Sequence, residues 1–275
     1  MIKDNILVSV IIPAFNVEET IEECLISVAN QAYSHIEVIV IDDGSSDATT
    51  SVVESFILTN KFLKFSIFIQ ENQGPSKARN VGIEKARGEF VVFMDADDRV
   101  DPSYIVRCLE MFKRKPSLNL VYSGIRNFGR ENNAFLFNAF EISSFLRANV
   151  IPIFAMVRRE QVMGVGGFDE SLKNHEDWEL WIRIIQKFGA HVYQIPEHLY
   201  FYRKREVRNS ITDLSQASQT IEQSFYYIYK KHYAYYLSNK LGIHQLFLKA
   251  KYQEKYNNVW YRKLYYLLFP NKRKD

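Results

Sequence analysis

The chain has 275 residues, 47% of them apolar and 24% charged, enough to bury a sizeable α/β core, and this composition excludes a disordered or low-complexity protein. The net charge of +3 is unevenly distributed: from Phe225 onward 11 Lys/Arg stand against only Glu254 and Asp275, so the preceding residues carry −6. Such a balance suits an acidic body that holds a metal and a basic tail that meets an anionic surface. Two cysteines, Cys24 and Cys108, are too few for a disulfide framework or a cysteine-rich zinc site and fit a reducing cytosol. The first residues lead into a strand rather than a signal peptide, and no apolar run reaches the roughly 18–20 residues of a membrane span.

Leu7 to Ile12 is a β-branched run ending at Pro13, predicted as a strand buried on both faces. Glu18 to Asn30 places Ile21, Leu25 and Val28 on one helical face. Ile36 to Ile41 reads as a second buried strand, stopped by Asp42-Asp43-Gly44-Ser45-Ser46-Asp47, where Ser46 or Asp47 caps a helix from Ala48 to Phe56. Phe65 to Gln70 is a third strand, and Gly74-Pro75-Ser76 opens a helix from Lys77 to Ala86. Phe90 to Met94 is a fourth strand, ending at Asp95-Ala96-Asp97-Asp98. Leu120 to Ser123 reads as a strand, Gly164 to Asp169 as a turn-rich loop, and Glu176 to Phe188 as a helix with Trp178, Trp181, Ile182 and Ile185 inward. Tyr200 to Lys204 reads as a last strand, and from about Leu214 the pattern turns helical and aromatic.

Strand and helix in alternation predict an open, mostly parallel sheet flanked by helices. Ligands bind such sheets beyond the carboxyl ends of the strands. Asn16, Asp43, Asn72 and the run Asp95 to Asp98 each follow a separate strand, so the fold would gather them at one rim.

Several carboxylates just past a buried strand are costly unless a cation neutralises them. Mg²⁺ or Mn²⁺, oxygen-seeking and shared with phosphates, would do so at Asp95 and Asp97; the plain reading is a solvated turn with Asp98 capping the next helix. Asp43 at a strand end can accept a proton from a base N–H or a ribose hydroxyl. The helix start around Gly74 carries Lys77 and Arg79, suited to a phosphate or a base edge, or to an ordinary charged face. It is not a Walker loop, and Gly164-x-Gly166-Gly167 is not a dinucleotide fingerprint. In His175-Glu176-Asp177-Trp178 the acids complement a helix dipole, or one of them acts as general base. Asp177 is the choice for that base, with Glu176 and His175 tuning or positioning it.

Together these segments resemble the family 2 glycosyltransferases of GT-A fold. Val8-Ser9-Val10-Ile11-Ile12-Pro13-Ala14-Phe15-Asn16 is similar to the family's opening strand. The Asp42–Asp47 cluster, Gly74 to Asn80 with Gly82, Asp95–Asp98, Gly167-Phe168-Asp169-Glu170 and Glu176-Asp177-Trp178 follow in the family's order over roughly residues 7–212. The resemblance implies that Pro13, Phe15, Glu18 and Asp43 line the nucleoside pocket and that Arg79 adds a nucleotide contact. It implies Asp95 near ribose and metal, Asp97 as principal metal ligand, and Asp177 as base of an inverting transfer. Gly167 and Phe168 would border sugar and acceptor, and Arg205 and Ser210 the diphosphate. No histidine stands between Tyr202 and Thr212, where some relatives carry a metal ligand.

The expectation is therefore a GT-A sheet with a nucleotide-binding half over 1–120, an acceptor-binding half over 121–213 and a helical, basic-aromatic extension over 214–275. The expected partners are a UDP-sugar and a glycan or lipid-linked acceptor, with Mn²⁺ or Mg²⁺ as cofactor, in surface polysaccharide assembly. The rivals are a nucleotidyltransferase, which would carry a Gly-rich basic loop where Phe15-Asn16-Val17-Glu18-Glu19 stands, and a catalytically inactive nucleotide-sugar-binding scaffold, against which Asp97 and Asp177 stand intact. Between Phe225 and Phe269 there are 15 aromatic residues interleaved with Lys, and Tyr226, Tyr229, Tyr233 and Tyr236 recur at helical spacing. This pattern fits a hairpin packed through its aromatics, or a cytoplasmic protein held peripherally at the inner face of a membrane. Nothing in the acidic body supports nucleic acid as a partner.

Overall fold

The computed structural model describes residues 5–61, 64–205 and 220–246. Its first strand, β1 (Val8–Ala14), is buried along nearly its whole length, as a β-branched run covered on both faces should be. Chain order continues with α1 (Ile21–Ala29), β2 (Ile36–Asp42), α2 (Thr49–Thr59), β3 (Lys64–Ile69), α3 (Pro75–Lys85) and β4 (Phe90–Phe93). Then come β5 (Arg99–Val100), α4 (Tyr104–Arg114), β6 (Leu120–Gly129), β7 (Ala134–Phe135), α5 (Ile142–Phe145), β8 (Met156–Arg158) and α6 (Arg159–Gly164). The helix α7 (Glu176–Phe188) has the bounds read from its period, and β9 (Val192–Lys204), α8 (Thr220–Lys231) and α9 (Tyr233–Ser238) follow.

The strands form one sheet in the order β3-β2-β1-β4-β8-β6-β9-β5, with β7 paired to β6. β3, β2, β1 and β4 run parallel, as do β6 and β9. The short β8 joins these two groups, antiparallel to β4 on one side and to β6 on the other. The core is built from Ile11, Val38, Val40, Val91 and Phe93 on the first group, with Trp178, Trp181 and Ile182 of α7 fully buried as expected.

Pro13 lies within β1 rather than after it. The pairing with β4 stops at Ile11 opposite Phe93, so beyond that point β1 is paired on one side only and tolerates a residue without an N–H. The last strand is longer than its sequence suggests. It begins at Val192, and a register shift opposite Ser123 and Gly124 skips Pro196 and Glu197, which is what interrupts the alternation. The α2 helix begins at Thr49, where Asp47 Oδ1 accepts the Thr49 amide at 3.0 Å; Ser46 plays no such part, its amide going to Asn16 Oδ1.

The chain forms two compact units, one running to Tyr226 and the other from Tyr227. Within the second, the tyrosine stripe is broken: α8 ends and α9 starts around His232, whose φ of −106° is not helical. Tyr229 therefore meets Tyr236 ring to ring at 4.7 Å across the break. No helix among the described residues is long and apolar enough to cross a membrane.

Candidate active site

The parallel strands end on one rim, and the loops there are tied to each other by side chains. Asp42 and Asp43 divide the work at the end of β2. Asp42 Oδ1 accepts the Ser45 amide at 2.9 Å and Oδ2 the Thr50 hydroxyl, closing the turn. Asp43, buried, reaches across to the β3–α3 loop: Oδ1 accepts Gln70 Nε2 at 2.7 Å and the Gln73 amide at 2.9 Å, and Oδ2 the Gly74 amide at 2.7 Å. Gly44 between them has φ +77°, and a Cβ there would lie 3.0 Å from the Asn72 nitrogen, so only glycine lets the loops approach. After β1, Asn16 and Glu18 point to the same turn. Asn16 Oδ1 accepts the Ser46 amide at 2.8 Å, and Glu18 Oε2 the Ala48 amide at 2.6 Å, beside the positive end of α2. Phe15, 48% exposed, and the half-buried Pro13 stand next to this turn.

Arg79, in the second turn of α3, joins the two sides of the rim. Its Nη2 donates to Asp95 Oδ1 at 2.9 Å and its Nη1 to Glu176 Oε1 at 2.8 Å, with its guanidinium 5.6 Å from the Phe168 ring centre. Asn80 beside it clasps the Gly167–Glu170 loop: Oδ1 accepts the Phe168 amide at 2.7 Å, and Nδ2 donates to the Phe168 carbonyl at 3.0 Å and to Glu170 at 2.8 Å. Gly167 is required here, with φ +72° and a would-be Cβ 2.5 Å from Asn80 Oδ1. Phe168 is buried against Phe93 of β4, 4.9 Å between ring centres in an edge arrangement.

The acidic turn after β4 is held from β9. Asp98 does not cap a helix: it is buried, Oδ2 accepting the Tyr200 hydroxyl at 2.8 Å and Oδ1 the Arg203 amide at 2.8 Å. Burial, then the neighbouring Asp97 and Asp95, push its carboxyl well above the usual range. The turn before α4 is closed by Asp101 instead, its Oδ1 accepting the Ser103 amide at 2.9 Å. Arg203 Nε donates to the Asp97 carbonyl at 2.7 Å and its Nη2 to Glu23, while Arg205 forks onto Asp97 Oδ2 at 2.9 and 2.7 Å. Among the described residues Asp95 Oδ2 and Asp97 Oδ1 accept no hydrogen bond, and no group of three or more His, Cys, Asp or Glu side chains forms a complete metal site.

Asp177 is the second residue of α7, next to the Arg79 bridge. Its partners are neutral: Asn149 Nδ2 donates to Oδ2 at 2.9 Å and the Trp178 amide to Oδ1 at 2.7 Å. Burial first, and the charge of Glu176 second, push its carboxyl up to about 7, into the range of a working general base. His175 precedes it in a left-handed conformation, φ 61°, with Nδ1 buried and unpartnered. Burial pushes its imidazole down, towards the neutral form.

Of the residues singled out from the sequence, Arg79, Asp95, Glu176 and Phe168 are thus in direct contact, with Asp177, Gly167, Asp97 and Arg205 attached to them. Pro13, Phe15, Glu18 and Asp43 form the neighbouring part of the rim, linked through Gly74 and α3. Ser210 lies outside the described residues. Sequence reading missed Asn149 and the clasp of Asn80. Asn149 sits in an irregular stretch before Pro152 with no period or motif to mark it, whereas Asn80 stood inside a motif already noted.

Parallel strands whose carboxyl ends carry a basic helix start and an acidic turn define an α/β protein of the open-sheet class. A family model described as Glycosyl transferase family 2 matches residues 9–164, more than half the chain, and the chain belongs to that family. Chondroitin synthase of Escherichia coli is 29% identical over 182 residues, which are 65% of this chain and 26% of that protein. The chain therefore spans about a quarter of that relative's length. The putative teichuronic acid biosynthesis glycosyltransferase TuaG of Bacillus subtilis is 29% identical over 211 residues, 75% of this chain and 81% of that protein. TarS of S. aureus in complex with UDP-GlcNAc superposes with a TM-score of 0.62 over 73% of this chain and 59% of that one, at 24% identity. The fold is GT-A.

Proposed function

We propose that the chain is an inverting glycosyltransferase that moves a sugar from a UDP-sugar to a hydroxyl of a glycan or lipid-linked acceptor, in surface polysaccharide assembly. The observation that carries the reading is the Arg79 bridge, which joins the acidic turn after β4 to the helix bearing Asp177. The likeness to TuaG, a putative teichuronic acid biosynthesis glycosyltransferase, and to TarS in complex with UDP-GlcNAc supports the substrate class.

In this reading Pro13, Phe15, Glu18 and Asp43 border the nucleoside, and Asp95, held from behind by Arg79, forms the inner edge of that pocket. Gly167 and Phe168 border the transferred sugar and the acceptor, and Arg205 with Ser210 meets the diphosphate. Asp177 takes the proton of the acceptor hydroxyl as its oxygen attacks the anomeric carbon. The bond from that carbon to the diphosphate breaks, and the diphosphate leaves with the electron pair, inverting the centre. One base suffices for this exchange, and only Asp177 of the adjacent acids lacks a cationic partner.

The residues fit a divalent ion. Asp95 and Asp97 each keep an oxygen unoccupied by hydrogen bonds, and Mg²⁺ or Mn²⁺ is commonly held by one or two carboxylates completed by substrate phosphates. When bound, such an ion would stabilise the negative charge of the departing diphosphate. The second unit, with Tyr233, Leu237 and Ile243 exposed and Lys240 beside them, supports a peripheral contact with a membrane surface that presents the acceptor.

The test is UDP release from a panel of UDP-sugars with Mn²⁺ present. Wild type releases UDP and EDTA stops it, while Asp177→Asn lowers turnover by about 10²- to 10⁴-fold and keeps the thermal shift given by UDP and Mn²⁺. If no nucleotide diphosphate raises the melting temperature in the presence of Mn²⁺, the reading fails.

A further inference from the structure

Arg79 is poorly placed for a direct contact with a ligand. Its side chain is 6% exposed, and both terminal nitrogens are already taken by carboxylates from different elements. Its Nε is buried without a partner, and Phe168 covers the guanidinium. A guanidinium is a rigid planar fork, so whatever its two ends grip is held at a set separation. One end grips Asp95, on the donor side; the other grips Glu176, the residue before Asp177. Glu176 has the cation, whereas Asp177 has only an amide side chain and a backbone N–H.

We propose that Arg79 is a positioning residue acting through Glu176: it spaces the first turn of α7 from the acidic turn after β4 and neutralises Glu176, leaving Asp177 as the one carboxylate that takes the acceptor proton. The inference rests on the transfer reading given above. It differs from a nucleotide contact in what each predicts, because a ligand of the nucleotide changes binding and a strut changes turnover.

The experiment uses the full chain. Binding of UDP with Mn²⁺ is measured by calorimetry, and kcat and KM with the UDP-sugar from which wild type releases UDP. The proteins are wild type, Arg79→Lys, Arg79→Gln, Glu176→Gln and the double variant Arg79→Gln/Glu176→Gln. UDP affinity stays within about threefold of wild type in all four variants, while kcat falls about 30-fold or more in both Arg79 variants with the donor KM little changed. Lysine does not rescue, since a single ammonium cannot hold two carboxylates at a fixed spacing. The double variant is no slower than Arg79→Gln, because the two residues act as one unit. Glu176→Gln retains the buried cation and serves where Arg79→Gln fails to fold: its kcat falls about tenfold with UDP binding intact. A UDP affinity weakened about tenfold with kcat preserved in Arg79→Lys, or losses in the double variant that simply multiply, overturn the inference alone. Absence of UDP binding by the wild type overturns the transfer reading and this inference with it.

Discussion

Asp177 is a carboxylate whose affinity for a proton is set by what surrounds it. Burial raises it and the Glu176 charge raises it further, while the Trp178 amide, the charge of the nearby Arg79 and the Asn149 donor pull only partly back. A base must be ionised to work, so kcat/KM climbs as pH rises through about 7 and falls away below it. Removing the Glu176 charge takes away the second of the two raising causes, so in Glu176→Gln the acidic limb moves to lower pH, whatever its height. A limb unmoved or shifted upward in a pH–rate profile would refute this assignment of cause. Asp43 and the run Asp95 to Asp98 stand out in the sequence because each follows a buried apolar run that ends abruptly, and Glu176 and Asp177 because they stand at the start of a strongly periodic helix. Their division of labour was not legible there: Asp98 reads as a helix cap and proves to be a buried acceptor for Tyr200 and Arg203, since its partners lie about a hundred residues away. No local pattern carries such a contact.

Between elements, the clasp of Asn80 fastens α3 to the loop before α7. One side chain satisfies both the N–H and the C=O of Phe168, so Asn80→Ala leaves two backbone groups short of partners and destabilises the fold by about 1–3 kcal/mol. Urea unfolding measures this, and an unchanged midpoint would show that water replaces the amide without loss. The strands and helices with long apolar periods were readable from the chain: β1 to β4, α3 and α7 lie where their sequence puts them, within a few residues at the ends. β5, β7 and β8 were not, because strands of two or three residues are shorter than a period can register. The early part of β9 was hidden by Pro196, whose bulge breaks the alternation without ending the pairing. The tyrosines at helical spacing do not share one environment: Tyr226 is exposed and Tyr236 is buried, and a change of helix at His232 lies between them.

For the molecule as a whole, charge is divided by position along the chain, with the basic residues gathered late. Exposed lysines near an anionic bilayer each contribute about 1 kcal/mol, so Lys230→Gln and Lys240→Gln each weaken sedimentation with anionic phospholipid vesicles about fivefold, and neutral vesicles bind neither. Equal binding to neutral and anionic vesicles would remove the electrostatic part of the membrane reading.

The grip of Arg203 and Arg205 on the turn at Asp97 and Asp98 has a bearing on how the protein is born. A nascent chain that has emerged only through the turn after β4 carries Asp95, Asp97 and Asp98 crowded together with nothing downstream to offset them. Ribosomal synthesis must run on through β9 before the two arginines arrive, so these acids, among the earlier parts made, are among the last to be locked. Contacts closed over so long a stretch of chain form slowly. The closing of this turn is thus placed late in folding, after β6 and β9 have taken their places in the same sheet.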